Sequence, residues 1–350
     1  MSGREFLIDG VRIADDTDTF VIAEVGHNHQ GSLEKCKELF RAAKECGADA
    51  VKLQKRDNKS LYTRELYNKA YDNENSFGLT YGAHREALEF GHDEYRELRA
   101  FCRELQIVFF ATAFDIPSAD FLAALDVPAF KIASGDLKST PLLRHVAKLG
   151  KPMIVSTGGA MWEDVQRAYD VIMPLNPQLC FLQCTAAYPA APEELNLRVI
   201  ESMRARYPEV VVGLSDHENG IAMAVAAFVL GARVVEKHFT LNHTWKGTDH
   251  AFSLEPIGFR KLVRDLRRAR VALGDGEKRC VVSEHAPLLK MGKKLVASRA
   301  LTAGHVLTPS DVAMKAPGDG LPPYHLDSVI GRRLRRALQA DDNIDLEVLE

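Results

Sequence analysis

Short apolar runs alternate along the chain with longer stretches in which apolar residues return every three or four positions. The runs are FVIAEV (20–25), AVKLQ (50–54), IVFFATA (107–113), AFKIAS (129–134), PMIVST (152–157), CFLQCT (180–185), VVVGLS (210–215) and RVVEKHF (233–239). Their shortness and unbroken apolar character predict strands buried on both faces, as in a parallel sheet covered by helices. Between them lie amphipathic stretches: SLEKCKELFRAAKECG, DEYRELRAFCREL, SADFLAAL, TPLLRHVAKLG, EDVQRAYDVIM, NLRVIESMRARYP, GIAMAVAAFVLG and GFRKLVRDLRRARVALG. Several close on Gly just before the next strand, as a helix C-cap does. Ser32, Pro117–Ser118 and Asn196 supply start signals. Eight such repeats within about 250 residues fit a (β/α)8 TIM-type barrel better than an open doubly wound sheet.

Two segments break the beat. Residues 55–91 are polar and aromatic without clear periodicity, and include the run TYGAHR. A loop of that length in a compact domain is usually functional or disordered, and its aromatic and cationic mixture predicts a substrate lid. The barrel is expected to span 1–278. Residues 279–292, with Glu284, His285 and Pro287, read as a linker, and 293–350 as a small β-rich domain rich in turns, including the Gly/Pro stretch APGDGLPPYHL. The latter is too small to be robust alone, so it is expected to dock on the barrel or on a partner subunit.

Composition narrows the function classes. Among 350 residues, 46% are hydrophobic and 27% charged, with a net charge of −3, so no global basic field attracts nucleic acid or anionic membrane. No apolar run approaches the ~20 residues that span a bilayer, and the start MSGREFLIDG is too polar for a signal peptide. Cys36, Cys46, Cys102, Cys180, Cys184 and Cys280 form no CxxC pair and no zinc-type spacing. They are expected to be reduced thiols of a soluble, cytoplasmic protein.

The polar residues concentrate at strand ends, where a (β/α)8 barrel carries its functional groups. Strand by strand these are Glu24; Lys52 and Gln54; Thr112; Lys131 and Ser134; Ser156 and Thr157; Tyr188 after CTAAYP; Ser215, Asp216 and His217; and Glu236 and His238. A lone Lys in a strand is commonly a solvated edge residue. Lys52 and Lys131 instead fall inside strands that a barrel buries, and a buried ammonium requires an anionic partner. With Ser134, Ser156 and Ser215 they would suit a phosphate and a carboxylate, although structural ion pairing explains them too. His217 and His238 come from adjacent strands at one barrel end. They are either core histidines or two ligands of a divalent metal, manganese or magnesium, with positions left open for substrate. Glu24 could be a general acid/base or only a partner of Lys52. His27, His29, His84, His243 and His250 give no spacing signal, and GRRLRR (331–336) reads as a solvated face with buried stems.

At this point AEVGHNHQGS, GADAVKLQK, TYGAHREALEFGHDEYRELR, FKIASGD, PMIVSTGG, LQCTAAYP, GLSDHENGIA, EKHFTL and WKGTDHAFSLEP, in order along the chain, resemble the sialic acid synthases. The C-terminal region resembles their antifreeze-like SAF domain. TYGAHR, LQCT and WKGTDH look closer to the animal-type enzymes. The resemblance implies condensation of phosphoenolpyruvate with an N-acylmannosamine. It implies that His217 and His238 bind the metal, that Lys52, Ser134, Ser156 and Ser215 hold the phosphate, and that Lys131 and Thr112 hold the carboxylate. Glu24 would be the acid/base, and Gln54, Tyr188, Asp136 and Asp249 would contact the sugar. It further implies a homodimer in which each SAF domain caps the other chain's barrel.

The chain departs from the family pattern at three places. Lys315-Ala316-Pro317-Gly318 stands where a KRPG-like turn supplies an Arg in free-sugar enzymes, Ala186 follows the strand-six Thr, and Asp136 replaces a frequent Glu. These changes bear on sugar identity and tilt the expectation toward a phosphorylated sugar. Related nonulosonate synthases, of legionaminate or KDN type, stay open. Other phosphoenolpyruvate-using barrels lack the SAF domain, a non-catalytic carbohydrate-binding barrel would not need this polar set, and a metal-dependent aldolase would rest on fold analogy alone.

Overall fold

The computed structural model describes residues 3–350, which divide into two units at residue 273/274. The first opens with a hairpin of β1 (Glu5–Ile8) and β2 (Val11–Ala14). Its turn places Asp9 and Gly10 at φ 49° and 81°, the left-handed pair that a two-residue hairpin turn demands. The Asp-Gly dipeptide between apolar residues is the signal for this hairpin, which the strand–helix pattern passes over.

The eight apolar runs form β3 (Phe20–Gly26), β4 (Ala50–Lys55), β5 (Val108–Ala113), β6 (Phe130–Ile132), β7 (Met153–Ser156), β8 (Leu179–Cys184), β9 (Val211–Asp216) and β10 (Val234–His238). They close in sequence order into a parallel barrel, with β10 pairing β3. The helices pack outside by the expected periodicity. Helix Leu33–Glu45 buries Cys36, Leu39, Phe40 and Ala43, one face at 3.6-residue spacing, and is capped by Ser32, whose hydroxyl accepts from the Lys35 amide. Asn196 does not cap its helix. It holds a left-handed φ of 43°, and the helix runs Val199–Arg206.

Register decides which side chains meet. Across the sheet His238 pairs with Glu24, and Glu24 with Lys52. Gln54 pairs with Thr112, Thr112 with Lys131, Cys184 with Ser215 and Ser215 with Glu236. Side chains alternate faces along a strand, so the even-numbered Lys52 and Gln54 share one face, as do Glu236 and His238. Asp216, between Ser215 and His217, and Lys237, between Glu236 and His238, therefore point to the other face. They form a fully buried ion pair of 2.7 Å, and the Lys237 ammonium also donates to the Glu218 carbonyl.

The insertion 55–91 is not without structure. It carries short helices Asn58–Leu61, Arg64–Asn68 and Tyr81–Glu86, each begun by a side-chain cap from Asp57, Thr63 and Thr80. The expected linker 279–292 also differs from expectation, since Val282–Met291 is helical and belongs with the second unit, which starts at 274. That helix buries none of its side chains, so it shows no amphipathic stripe by which to read it.

The second unit contains only one ladder, β11 (Lys294–Ala297) against β12 (Val312–Lys315), antiparallel. Isolated bridges and turns complete it around a small core of Leu295, Leu301, Leu307, Leu334, Leu338 and Ile344. Its one fully buried carboxylate, Asp311, accepts from the Thr308 hydroxyl at 2.6 Å, from Arg299 at 2.7 Å and faces His305 at 2.9 Å. The arginines of GRRLRR are half-buried or exposed around buried Leu334, the solvated face that was expected.

Candidate active site

The C-terminal ends of the barrel strands enclose a cavity of about 520 Å³. Apart from Asp136, every residue to which the resemblance gave a role lines it: Glu24, Lys52, Gln54, Thr112, Lys131, Ser134, Ser156, Tyr188, Ser215, His217, His238 and Asp249. The strand-end residues Thr157, which donates to the Leu182 carbonyl at 2.9 Å, and Asp216, paired with Lys237, do not. Asp136, the last residue of a short 3-10 turn (Ser134–Asp136), is not among the lining residues, and burial pushes its carboxyl up to about 6, against the opposing pull of Arg56. Glu236, named among the strand-end residues without a role, also faces the cavity, as do Arg56, Arg85, Thr248 and Phe252, which the strand-end rule missed. Arg56 was legible, since it continues the parity of Lys52 and Gln54. Arg85 was legible only as the cation of the TYGAHR run, since strand parity does not extend into the insertion.

The floor is a buried lattice of opposite charges. Lys52 and Lys131 are 2% and 3% exposed, and Glu24 and Glu236 are equally buried. Lys52 Nζ pairs with Glu24 Oε2 and donates to Thr112 Oγ1 at 2.7 Å. Glu236 Oε1 lies 3.8 Å from Lys52 and 3.7 Å from Lys131, too far for strong hydrogen bonds to either. Ser156 Oγ and Glu236 Oε2 are buried with no protein partner. Lys52 is held closely by Glu24 and Thr112, but Lys131 has the Ile132 carbonyl at 3.0 Å and only a distant carboxylate. Its ammonium and the unsatisfied Ser156 hydroxyl therefore leave donors free for a bound anion.

Burial pushes the Glu24 carboxyl up to about 7; the Lys52 ammonium opposes that rise and the neighbouring Glu236 adds to it. Gln54 Nε2 donates to Glu24 Oε1 at 2.8 Å and fixes its orientation. A carboxyl poised near neutrality can both give and take a proton, the property of a general acid/base. Burial alone would raise Glu236 too, but Lys131 and Lys52 outweigh it and hold its carboxyl low.

Beside this floor stand the two histidines, ring centroids 5.4 Å apart. His217 Nδ1 lies 2.8 Å from the Thr185 carbonyl, which fixes the Nδ1–H tautomer and leaves Nε2 with its lone pair. His238 Nδ1 is buried without a hydrogen-bond partner, with Asp249 Oδ2 at 3.7 Å. Burial first, then the adjacent His238, pushes His217 down to about 4, so the ring stays neutral. Phe252 packs on His238 at 4.8 Å and Tyr188 on His217 at 4.3 Å. Two neutral imidazoles with free nitrogen atoms suit a divalent ion. Among the described residues no third His, Cys, Asp or Glu joins them in a cage, so further ligands would have to come from water or substrate.

Fold and cavity define a (β/α)8-barrel protein with an ionisable, small-molecule-sized mouth, carrying a separate small C-terminal unit. Residues 39–278 match the model of the NeuB family and residues 294–347 that of the SAF domain. The chain is 42% identical over 332 residues to the N-acetylneuraminate-9-phosphate synthase of Homo sapiens, covering 95% of this chain and 92% of that protein. It is 34% identical to the N,N'-diacetyllegionaminic acid synthase of Legionella pneumophila, covering 98% of each. The crystal structure of the N-acetylneuraminic acid synthetase of Leptospira borgpetersenii, in complex with citrate, superposes with a TM-score of 0.71 at 30% identity, covering 81% of this chain and 95% of that one. The chain belongs to the NeuB family, the sialic acid synthases, with a C-terminal SAF domain.

Proposed function

We propose that the protein condenses phosphoenolpyruvate with N-acetylmannosamine or its 6-phosphate, giving N-acetylneuraminate or its 9-phosphate and inorganic phosphate. The observation that carries this is the buried floor of Lys52 and Lys131 beneath a near-neutral Glu24 and the His217–His238 pair, in one cavity of a NeuB-family barrel. Lys52, Ser134, Ser156 and Ser215 hold the phosphate, while Lys131 and Thr112 hold the carboxylate. Gln54, Tyr188 and Asp249 orient the sugar. A divalent ion, manganese or magnesium, held by His217 and His238 would supply Lewis acidity at the sugar's aldehyde oxygen.

In this reading the C2=C3 electron pair of phosphoenolpyruvate forms a C–C bond to the aldehyde carbon as the C=O pair moves to the aldehyde oxygen, which takes a proton from Glu24. Water then adds at the electron-deficient C2 and gives its proton to Glu24. The C2–O bond to phosphate breaks as the new C2 hydroxyl passes its proton to the departing phosphate, leaving a 2-keto acid and hydrogen phosphate. Glu24 has to be ionised to accept the water's proton and protonated to return one, and a carboxyl near 7 serves both.

A second reading, synthesis of a legionaminate-type sugar, is favoured by the full-length match to the Legionella relative. Phosphate release from phosphoenolpyruvate, measured with manganese against N-acetylmannosamine, its 6-phosphate, mannose 6-phosphate and the diacetamido analogue, decides between them. Release that a chelator abolishes supports the synthase, and silence with every sugar overturns it. We extend the proposal to a cytoplasmic homodimer in which each SAF domain serves the partner's barrel. Among the described residues no helix is long and apolar enough to cross a membrane. A fully active monomer by light scattering would overturn the dimer.

A further inference from the structure

We propose that Arg56 and Arg85 form a second anion site at the rim of the mouth, which takes a phosphate carried by the sugar acceptor at the end remote from its aldehyde. The identification of the ligand as a sugar phosphate rests on the synthase reading above. The anion site itself rests on the geometry.

Both arginines line the cavity, and Arg56 is 7% exposed. Every other cation of the inner mouth has a carboxylate within reach, but neither Arg56 nor Arg85 forms an ion pair with a carboxylate of the described residues. The nearby acids are engaged elsewhere. Glu89 pairs with Lys55 at 3.0 Å and accepts from the Arg56 amide at 3.3 Å, while Asp249 accepts from the Thr248 hydroxyl at 2.8 Å and faces His238. Two adjacent guanidinium groups, largely withdrawn from water and without counter-charge, are costly unless a ligand supplies that charge.

The donors point the same way. Arg56 donates to Gln54 Oε1 at 2.7 Å and stacks on Phe114 at 3.7 Å, while Arg85 donates to the Tyr81 hydroxyl at 3.0 and 3.1 Å. His27 lies between them, Nε2 at 3.2 Å from Arg56 and Nδ1 at 3.3 Å from Arg85. A neutral imidazole offers a lone pair on one nitrogen only. One of the two guanidinium groups therefore faces an N–H and lacks an acceptor there, which a phosphate oxygen would provide. Planar, stacked guanidinium groups are well matched to phosphate.

The site is separate from the floor yet connected to it. Arg56 lies four residues beyond Lys52, about 13 Å of extended chain. Gln54 bridges the two levels, accepting from Arg56 and donating to Glu24. A substrate pair with one phosphate on each component would fill both levels.

The test is calorimetric binding of N-acetylmannosamine 6-phosphate and of N-acetylmannosamine, without phosphoenolpyruvate, to the wild type, Arg85→Gln and Arg85→Lys. The wild type should bind the phosphorylated sugar at least about tenfold more tightly. Arg85→Gln should cut that preference by about tenfold to a hundredfold, the range of a charge-assisted hydrogen bond, and Arg85→Lys should retain part of it. Equal binding of the two sugars by the wild type, which needs no variant, or an unchanged preference in folded Arg85→Gln, would overturn the site. Phosphoenolpyruvate consumption measured alongside separates the two ideas. Preference without consumption supports the anion site and overturns the synthase reading, whereas consumption without preference overturns the anion site alone.

Discussion

Replacing Glu24 by Gln preserves the shape of the side chain but removes its charge from the side of Lys52, and the consequence for stability depends on pH. The folded chain holds this carboxyl at about 7 against an ordinary value of 4.5. That difference corresponds to about 3 kcal/mol. Between those values the unfolded chain has released the proton while the folded chain still holds it. The stabilising contribution of Glu24 is therefore fully present below pH 4.5 and is lost as pH rises through 7. Arithmetic on Coulomb attraction alone would predict the opposite, because Lys52 contacts Glu24; burial outweighs it. Urea unfolding of wild type and Glu24→Gln, in chelator, should show the gap in unfolding free energy moving against the wild type by most of that 3 kcal/mol between pH 5 and pH 8. Turnover of the variant should fall by about a hundredfold to ten-thousandfold, with binding of phosphoenolpyruvate retained. A stability gap that stays constant across that range would refute the argument that burial sets the proton affinity of Glu24. Loss of phosphoenolpyruvate binding would make its role structural.

His217→Ala should leave a folded protein that no longer binds manganese in calorimetry and has lost metal-dependent turnover; normal turnover in chelated buffer would overturn the metal assignment. Gly213→Ala should cost about 1–3 kcal/mol of stability by thermal unfolding, because the new methyl would meet the Val234 carbonyl oxygen at 2.3 Å and Leu182 at 2.5 Å, inside a closed sheet that cannot give way. Asp311→Ala should lower the melting temperature of the SAF domain by several degrees or more. The Thr308 hydroxyl and then His305 hold the Asp311 carboxyl far below its ordinary value, so in the wild type its contribution is present above that value and fades only as pH falls below it. A domain whose acid stability is unchanged in the variant would refute that account.

What was legible in advance follows from how local each signal is. Strand runs, helix stripes and the Ser32 cap are written within windows of a few residues, so the eight barrel strands fall where the apolar runs predict. The SAF unit was harder to read as strands. Its core residues are spread from Leu295 to Leu349 and paired mostly by single bridges, which leave no periodicity. The three helices of the insertion escape for a related reason: at four to six residues each they are too short to show an amphipathic stripe.

By itself the sequence determined the repeat, the polar residues at the strand ends and, through two-residue parity, which of them share a face. Local chemistry suffices for all three, because backbone preference and side-chain alternation act between near neighbours. Only the tertiary structure decided that the barrel closes, that register sets His238 beside Glu24 and Glu24 beside Lys52, and that Glu236 lies between two lysines. It also decided that Arg85, carried on the insertion, reaches His27 and the cavity beside Arg56. These depend on strand pairing and on burial. Both are sums over residues remote in the chain, and burial, more than any neighbouring charge, brings Glu24 close to neutrality.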